Sequence, residues 1–308
     1  MRLYLQLFAP ATGPWAWFLP RIAAAAACGL ALCTAATSAA VSTPASAPAE
    51  EAAAPAAEPT YAEPTYADLA DLVTGAALVA KVVPRKAIVV EPERAPGLAP
   101  GHARIYVEGR TQALLAGAGL HEQVRYLVDV RRDARGKLPK LKGKPVLLFA
   151  HPPVGQAGEL RLISATAQLD WSEAVDARVR ALLGEVLAPG APPAVTGIRE
   201  AMFVPGNLAG EGESQIFLDS AGGTPVTLNV VHRPGAPPRW GVSWSEIVHA
   251  HAAPPPRDSL GWYRLACFPP DELPPEALLG QDATARAAVS ADYRLIREQL
   301  GPCPRLRG

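Results

Sequence analysis

Four groups of residues in this sequence could do chemistry. The first is Gly241-Val-Ser243-Trp-Ser245, the nearest approach to a serine nucleophile. A nucleophile elbow needs glycine two residues after the serine, because the backbone turns sharply there. Ser245 stands in that place, and the stretch reads as mid-strand, with its serines exposed on the face opposite Trp240, Val242 and Trp244. The second is His249-Ala-His251, the one close histidine pair, preceded by Glu246. On a strand, such a pair puts both rings on one face, where they could ligate copper or zinc. No third ligand follows from the spacing, and two polar residues entering a Pro-rich loop is the competing reading. No HExxH, paired CxxC, EF-hand loop or phosphate-binding glycine loop is present. No cofactor is expected.

The third group is a run of positive charge. Arg131, Arg132, Arg135, Lys137, Lys140, Lys142 and Lys144 lie within 14 residues against one acid, Asp133, and the run holds four of the chain's six lysines. Such a loop could seek phospholipid headgroups, an acidic glycan or another anionic ligand. The competing reading is a solvated loop between two strands, kept soluble by its charge. No aromatic residue interleaves with these cations, so a nucleic-acid groove is not expected.

The fourth is a cysteine pair. Cys28 and Cys33 lie near the N-terminus, leaving Cys267 and Cys303 in the rest of the chain. An even pair without CxxC spacing reads as a structural disulfide in an oxidising compartment.

The N-terminal segment agrees with that compartment. Residues 22–40 carry no charge, follow Arg21 directly and end in Ser38-Ala39-Ala40. A positive flank, an apolar stretch and a small-residue site together read as a secretory signal peptide over 1–40. The protein is therefore expected to be exported and periplasmic. An anchor formed by an uncleaved N-terminal segment is the alternative, since nineteen uncharged residues could span a bilayer.

Residues 41–66, rich in Ala, Pro and Glu, read as a disordered spacer that includes Glu58-Pro-Thr-Tyr-Ala and Glu63-Pro-Thr-Tyr-Ala in tandem. Residues 67–187 alternate in several runs, such as 104–108 and 124–130, and close with a helix opening near Asp170 or Ser172. Five strands and a terminal helix resemble an oligonucleotide/oligosaccharide-binding (OB-like) barrel in strand count and length. A Pro-rich linker, 188–198, then leads to an α+β domain, 199–308. It holds an antiparallel meander (214–219, 224–231, 239–247) and two helices capped by Asp258 and Asp282. The fold class is thus mainly β, with an α+β second domain. With both cysteines at helix C-terminal ends, a disulfide predicts that the two helices run roughly parallel or cross steeply.

Composition narrows the function classes. The chain has 308 residues, 29 basic and 29 acidic side chains, 33 prolines and 49% apolar residues. Its neutrality removes the simplest case for a nucleic-acid binder. The Ala-rich leader, the excess of arginine over lysine (23 to 6) and the late cysteine pair resemble uncharacterised exported proteins of high-GC Gram-negative bacteria. That resemblance implies a compartment and no activity. The expected function is a non-catalytic binding or scaffolding role in the envelope. The partner would be an anionic lipid, a glycan or another envelope protein, met through the 131–144 loop. The alternative is an exported hydrolase or metal-binding protein with a site near Glu246, His249 and His251.

Overall fold

Thr65 starts the first helix, α1 (Tyr66–Gly75), because its Oγ1 accepts from Asp68 N while Asp68 Oδ2 accepts from Thr65 N, at 3.0 and 2.9 Å. This reciprocal cap satisfies two donors that a helix start leaves open. The computed structural model describes residues 63–151, 157–245 and 252–307, all within one compact unit, Ala57–Gly308. α1 begins on Tyr66, the last residue of the 41–66 segment that its composition marks as spacer.

The first sheet holds β1 (Leu78–Val89), β2 (His102–Ala116), β3 (Gln123–Arg131), β4 (Val146–His151), β5 (Arg161–Leu162) and β6 (Gln168–Asp170). Its order is β3-β2-β1-β4-β5, with β6 also paired to β4 and every named strand pair antiparallel. β3 alternates as half-buried strands do, whereas β4 is buried along Val146–Ala150 and reads as a continuous apolar run. Beyond β3, Arg125 bridges Glu159 in parallel, and Asp129 N donates to Ala165 O at 2.7 Å. These bonds draw the sheet's two sides together, but no closed barrel forms among the described residues. α2 (Glu173–Leu187) follows, with Ser172 Oγ capping Val175 N and Val175, Val179, Leu182 and Leu183 buried.

The second sheet is the meander β7 (Val195–Pro205), β8 (Gly212–Ser220), β9 (Val226–His232) and β10 (Arg239–Ser243), in the order β10-β9-β8-β7. α3 (Leu260–Ala266) and α4 (Ala283–Leu300) complete the chain's elements. α4 buries Val289, Tyr293, Ile296 and Leu300 and packs on β7 and β8. Across the described residues the architecture is mainly β, in antiparallel sheets with four α-helices. Buried residues of both sheets and all four helices join one continuous core.

Cys267 and Cys303 are joined by a disulfide, with their Cα atoms 5.3 Å apart. The helix arrangement inferred from it needs correction. Trp262 Nε1 donates to Leu300 O, Arg297 to Leu265 O and Ala266 O, and Tyr293 OH to Pro270 O. Contacts along α3 and beyond therefore meet α4 in descending order, the sense of an antiparallel pair. The bond closes because Gly301, at φ +67°, ends α4 and turns the chain back towards Cys267. α3 is also only seven residues, about 10 Å, so neither of its ends is far from the turn.

Candidate functional site

The basic run occupies the connection between β3 and β4. Backbone bonds hold it at both ends: Arg132 N donates to Gly101 O at 2.8 Å, and Gly143 N to Pro84 O at 2.9 Å. Between them, Asp133 Oδ1 accepts from Arg135 N and Lys137 N, and Gly136 N donates to Asp133 O, so 132–137 is a tight, internally bonded turn. Leu141 is buried in the core and Leu138 packs against it. Two leucines face inward while Pro139 and Lys140 between them are exposed.

All seven cations, Arg131, Arg132, Arg135, Lys137, Lys140, Lys142 and Lys144, are exposed. No ion pair with a described carboxylate holds Arg131, Arg132, Arg135, Lys137, Lys140 or Lys142, although Asp133 lies within the same loop. Asp133 instead spends its carboxylate on backbone donors of the turn. The loop is thus an anchored, positively charged, exposed surface. It can attract an anionic partner, but it has no buried nucleophile, acid or base with which to transform one.

The serine motif is settled by burial. Ser243 lies on β10 opposite Thr227 and is buried, contrary to the expectation of exposed strand serines; Ser245 alone is exposed. The face was misjudged because residues after the strand return over it. A Cβ placed on Gly241 would fall 2.2 Å from the backbone of Ala252. Ser243 therefore has no open approach for a substrate from that face. Glu246, His249 and His251 lie outside the described residues, and among those described no cluster of three His, Cys, Asp or Glu could hold a metal ion.

A buried polar network, announced by no motif spacing in the sequence, joins α4 to the second sheet. Ser214 Oγ donates to Asp292 Oδ2 at 2.5 Å, and His232 Nε2 stands 2.9 and 2.8 Å from Oδ1 and Oδ2 of the same carboxylate. These are the residue types of a hydrolytic triad in the wrong order. The serine binds the acid rather than the imidazole, and Ser214 is fully buried. No base reaches the hydroxyl, so the arrangement ties α4 to β8 and β9 rather than activating a nucleophile. Its signal in the sequence is Asp292 itself, an acid three residues after Val289 on the buried face of α4.

A cavity of about 260 Å³ lies where α1 begins, lined by Thr65, Tyr66, Ala67, Arg178, Arg257, Asp258, Trp262 and Pro304. The Arg257 guanidinium sits 5.0 Å over the Trp262 ring and donates to Leu300 O and Pro302 O. Tyr66 donates to Glu185 Oε1, and burial, reinforced by the Glu185 charge, pushes its phenol well above the ordinary range. Burial likewise lowers the Arg264 guanidinium, which lies beside the Tyr263 ring. Arg178 is engaged with Glu63, and most of the cavity's polar groups are bonded to the protein itself.

Among the described residues no helix is long and apolar enough to cross a membrane. No family model matches the chain, and no curated protein matches it.

Proposed function

We propose that this is an exported, non-catalytic envelope protein that binds an anionic surface through the 131–144 loop. The observation that carries the reading is a run of cations displayed outward on a loop whose backbone is fixed at Gly101 and Pro84 and whose leucines are drawn inward. A merely solvated connection needs neither anchor. Preorganisation also lowers the entropy lost when the side chains meet a partner. The disulfide supports an oxidising compartment and hence export to the periplasm.

The first sheet supports this reading as a partly open, OB-like barrel. Its order, together with the parallel bridge between Arg125 and Glu159, brings β3 towards the segment that leads into β5. The loop then passes the ends of β2 and β1, which separate β3 from β4 in the sheet, with Leu141 buried in the core.

The test is co-sedimentation with vesicles of phosphatidylglycerol and phosphatidylcholine at low and physiological salt. Each cation near an anionic surface contributes about 1 kcal/mol. The triple variant Arg135→Gln, Lys140→Gln, Lys142→Gln is expected to weaken binding by roughly 100-fold, and 0.5 M salt to abolish it. Binding that ignores salt, or that the triple variant retains in full, would refute the loop as the contact.

A further inference from the structure

We propose that the free edge of β1 pairs with the same edge of a second copy, giving a two-fold dimer with a sheet continuous across both chains. β4 pairs with β1 only from Leu78 to Val82, whereas β2 stays with it to Val89. From Lys86 to Val89, with Arg85 as the bulge that precedes it, β1 therefore has a paired side and, among the described residues, an unpaired one. All five residues there are exposed, with Ile88 at 45% and Val89 at 48% although their side chains point to opposite faces. The edge of β3, by contrast, is occupied by the bonds to Gly158, Leu160 and Ala165, and β7 has Phe203 N bonded to the Gln281 side chain.

The backbone fixes which groups are available. Val90 N donates to Arg104 O, so Ile88 shares its inward sense and Ala87 and Val89 turn their N–H and C=O groups away from β2. Unpaired groups on an exposed apolar edge are a template for another strand. An antiparallel copy centred on Ile88 sets Ala87 opposite Val89 of the second copy, and Val89 opposite its Ala87. Both members of each pair then present outward groups, as a hydrogen-bonded pair requires. A shift by one residue would set outward groups against inward ones.

Charge selects the same register. The Pro84 end of the edge is basic, with Arg85 on the strand and exposed Lys142 next to Gly143, whose N–H is bonded to Pro84 O. The other end is acidic on balance, with exposed Glu91 and Glu93 against one exposed cation, Arg94. Centring on Ile88 places Arg85 opposite Glu91 of the second copy, at both ends of the interface. The two Ile88 side chains then meet on the axis. They extend the row Ile88–Tyr106–Leu127, which the strand registers align across β1, β2 and β3, into a stripe twice as long. Such a pairing is isologous and closes on itself, which an edge must do to avoid open-ended assembly. The short paired stretch implies a micromolar rather than a permanent dimer.

This inference is independent of the loop's role, and its measurements are separate from vesicle binding. Sedimentation equilibrium of the full chain between 5 and 500 µM (roughly the micromolar range expected of a small interface) should show a monomer–dimer equilibrium. Amide exchange at Ala87 and Val89 should slow as concentration rises. Val89→Pro removes an outward N–H that β2 does not use, and it should leave a folded monomer. Ile88→Lys puts two charges on the axis and should weaken the dimer at least about tenfold, by analogy with like charges set opposite on paired strands. Arg85→Glu should weaken it as well, and adding Glu91→Arg should restore it. A monomer throughout, with Ala87 and Val89 exchange indifferent to concentration, would overturn the proposal. So would a dimer that survives Ile88→Lys, or a charge swap that fails to rescue.

Discussion

Replacing Cys267 and Cys303 by alanine together removes one covalent bond and very little buried surface, because both residues are only half-buried. The bond closes a loop of 36 residues, so in the chain-entropy account its loss gives the unfolded ensemble about 4 kcal/mol of freedom. Native contacts around the site offset little of this. Arg305 pairs with Asp71, but both side chains are more than a third exposed, and such pairs contribute less than about 1 kcal/mol. Asp68 accepts from Leu306 N and Arg307 N, and Arg307 donates to Thr166 O and Gln168 O, so the C-terminal strap should stay docked in the folded variant. The whole effect is therefore expected in the unfolded state. Urea denaturation followed by circular dichroism should show a loss of about 4 kcal/mol, near 1.3 M in midpoint for a slope of about 3 kcal/mol/M. The slope itself should rise, since an uncrosslinked chain exposes more surface on unfolding. The reduced wild-type protein serves as a second measurement should the variant fail to fold. A loss under about 1 kcal/mol in both, with an unchanged slope, would refute the entropic account.

Asp292→Ala leaves a fully buried Ser214 hydroxyl and the His232 ring without their acceptor, and it should cost about 3 kcal/mol by the same denaturation assay. Asp292→Asn, which keeps the shape and one acceptor oxygen, should cost less than half of that, and equal losses would show that the network requires the negative charge and both acceptor oxygens. Tyr263 and Tyr293 are pushed up to about 12, both chiefly by burial, and for Tyr263 also by its bond to Asp71. Because the unfolded phenols ionise near 10 and the folded ones near 12, their contribution to stability is intact below pH 10 and is lost between pH 10 and 12. Each tyrosine adds up to about 1.4 kcal/mol per pH unit to that decline. Tyr263→Phe or Tyr293→Phe should flatten it, and an alkaline limb unchanged in both would contradict the assignment.

Several elements were legible because one physical signal dominated each. β3 alternates from Gln123 to Val128, and α2 and α4 carry Ser172 and Asp282 as caps on a 3.6-residue apolar stripe. Asp258 shows where such a signal misleads. Its residue type and position suit a cap, yet its φ is +56°, and a capping residue takes an extended backbone. Ser259, at φ −119°, does the capping instead. β7 was missed for a different reason. Register shifts after Val195 and after Ile198 put its buried residues at 195, 198 and 201, a spacing of three that imitates a helix. In the candidate site the charges were legible and the anchors were not. Arg132 and Gly143 hold the loop through backbone N–H groups, which every residue but proline possesses, so no side chain announces them. Ser243 was misplaced because its cover comes from residues nine and ten positions further along.

The net charge of zero constrains this protein less than it suggests. Of the 29 basic side chains, seven belong to the loop, which leaves 22 elsewhere; of the 29 acidic ones, one belongs to the loop, which leaves 28. The loop thus carries an excess of six positive charges and the remainder an equal negative excess. At physiological salt, charges separated by more than about 8 Å hardly sense each other. A partner at the loop therefore meets its local charge, and the balancing acids contribute only where they stand close. This makes a quantitative demand on the binding assay. If the loop alone makes the contact, the salt dependence should follow the number of loop cations neutralised, falling stepwise as each is changed to glutamine. If the whole chain's field mattered, glutamine substitutions at arginines of the second sheet, such as Arg199 or Arg239, would change the slope as much. They are expected to leave it unaltered.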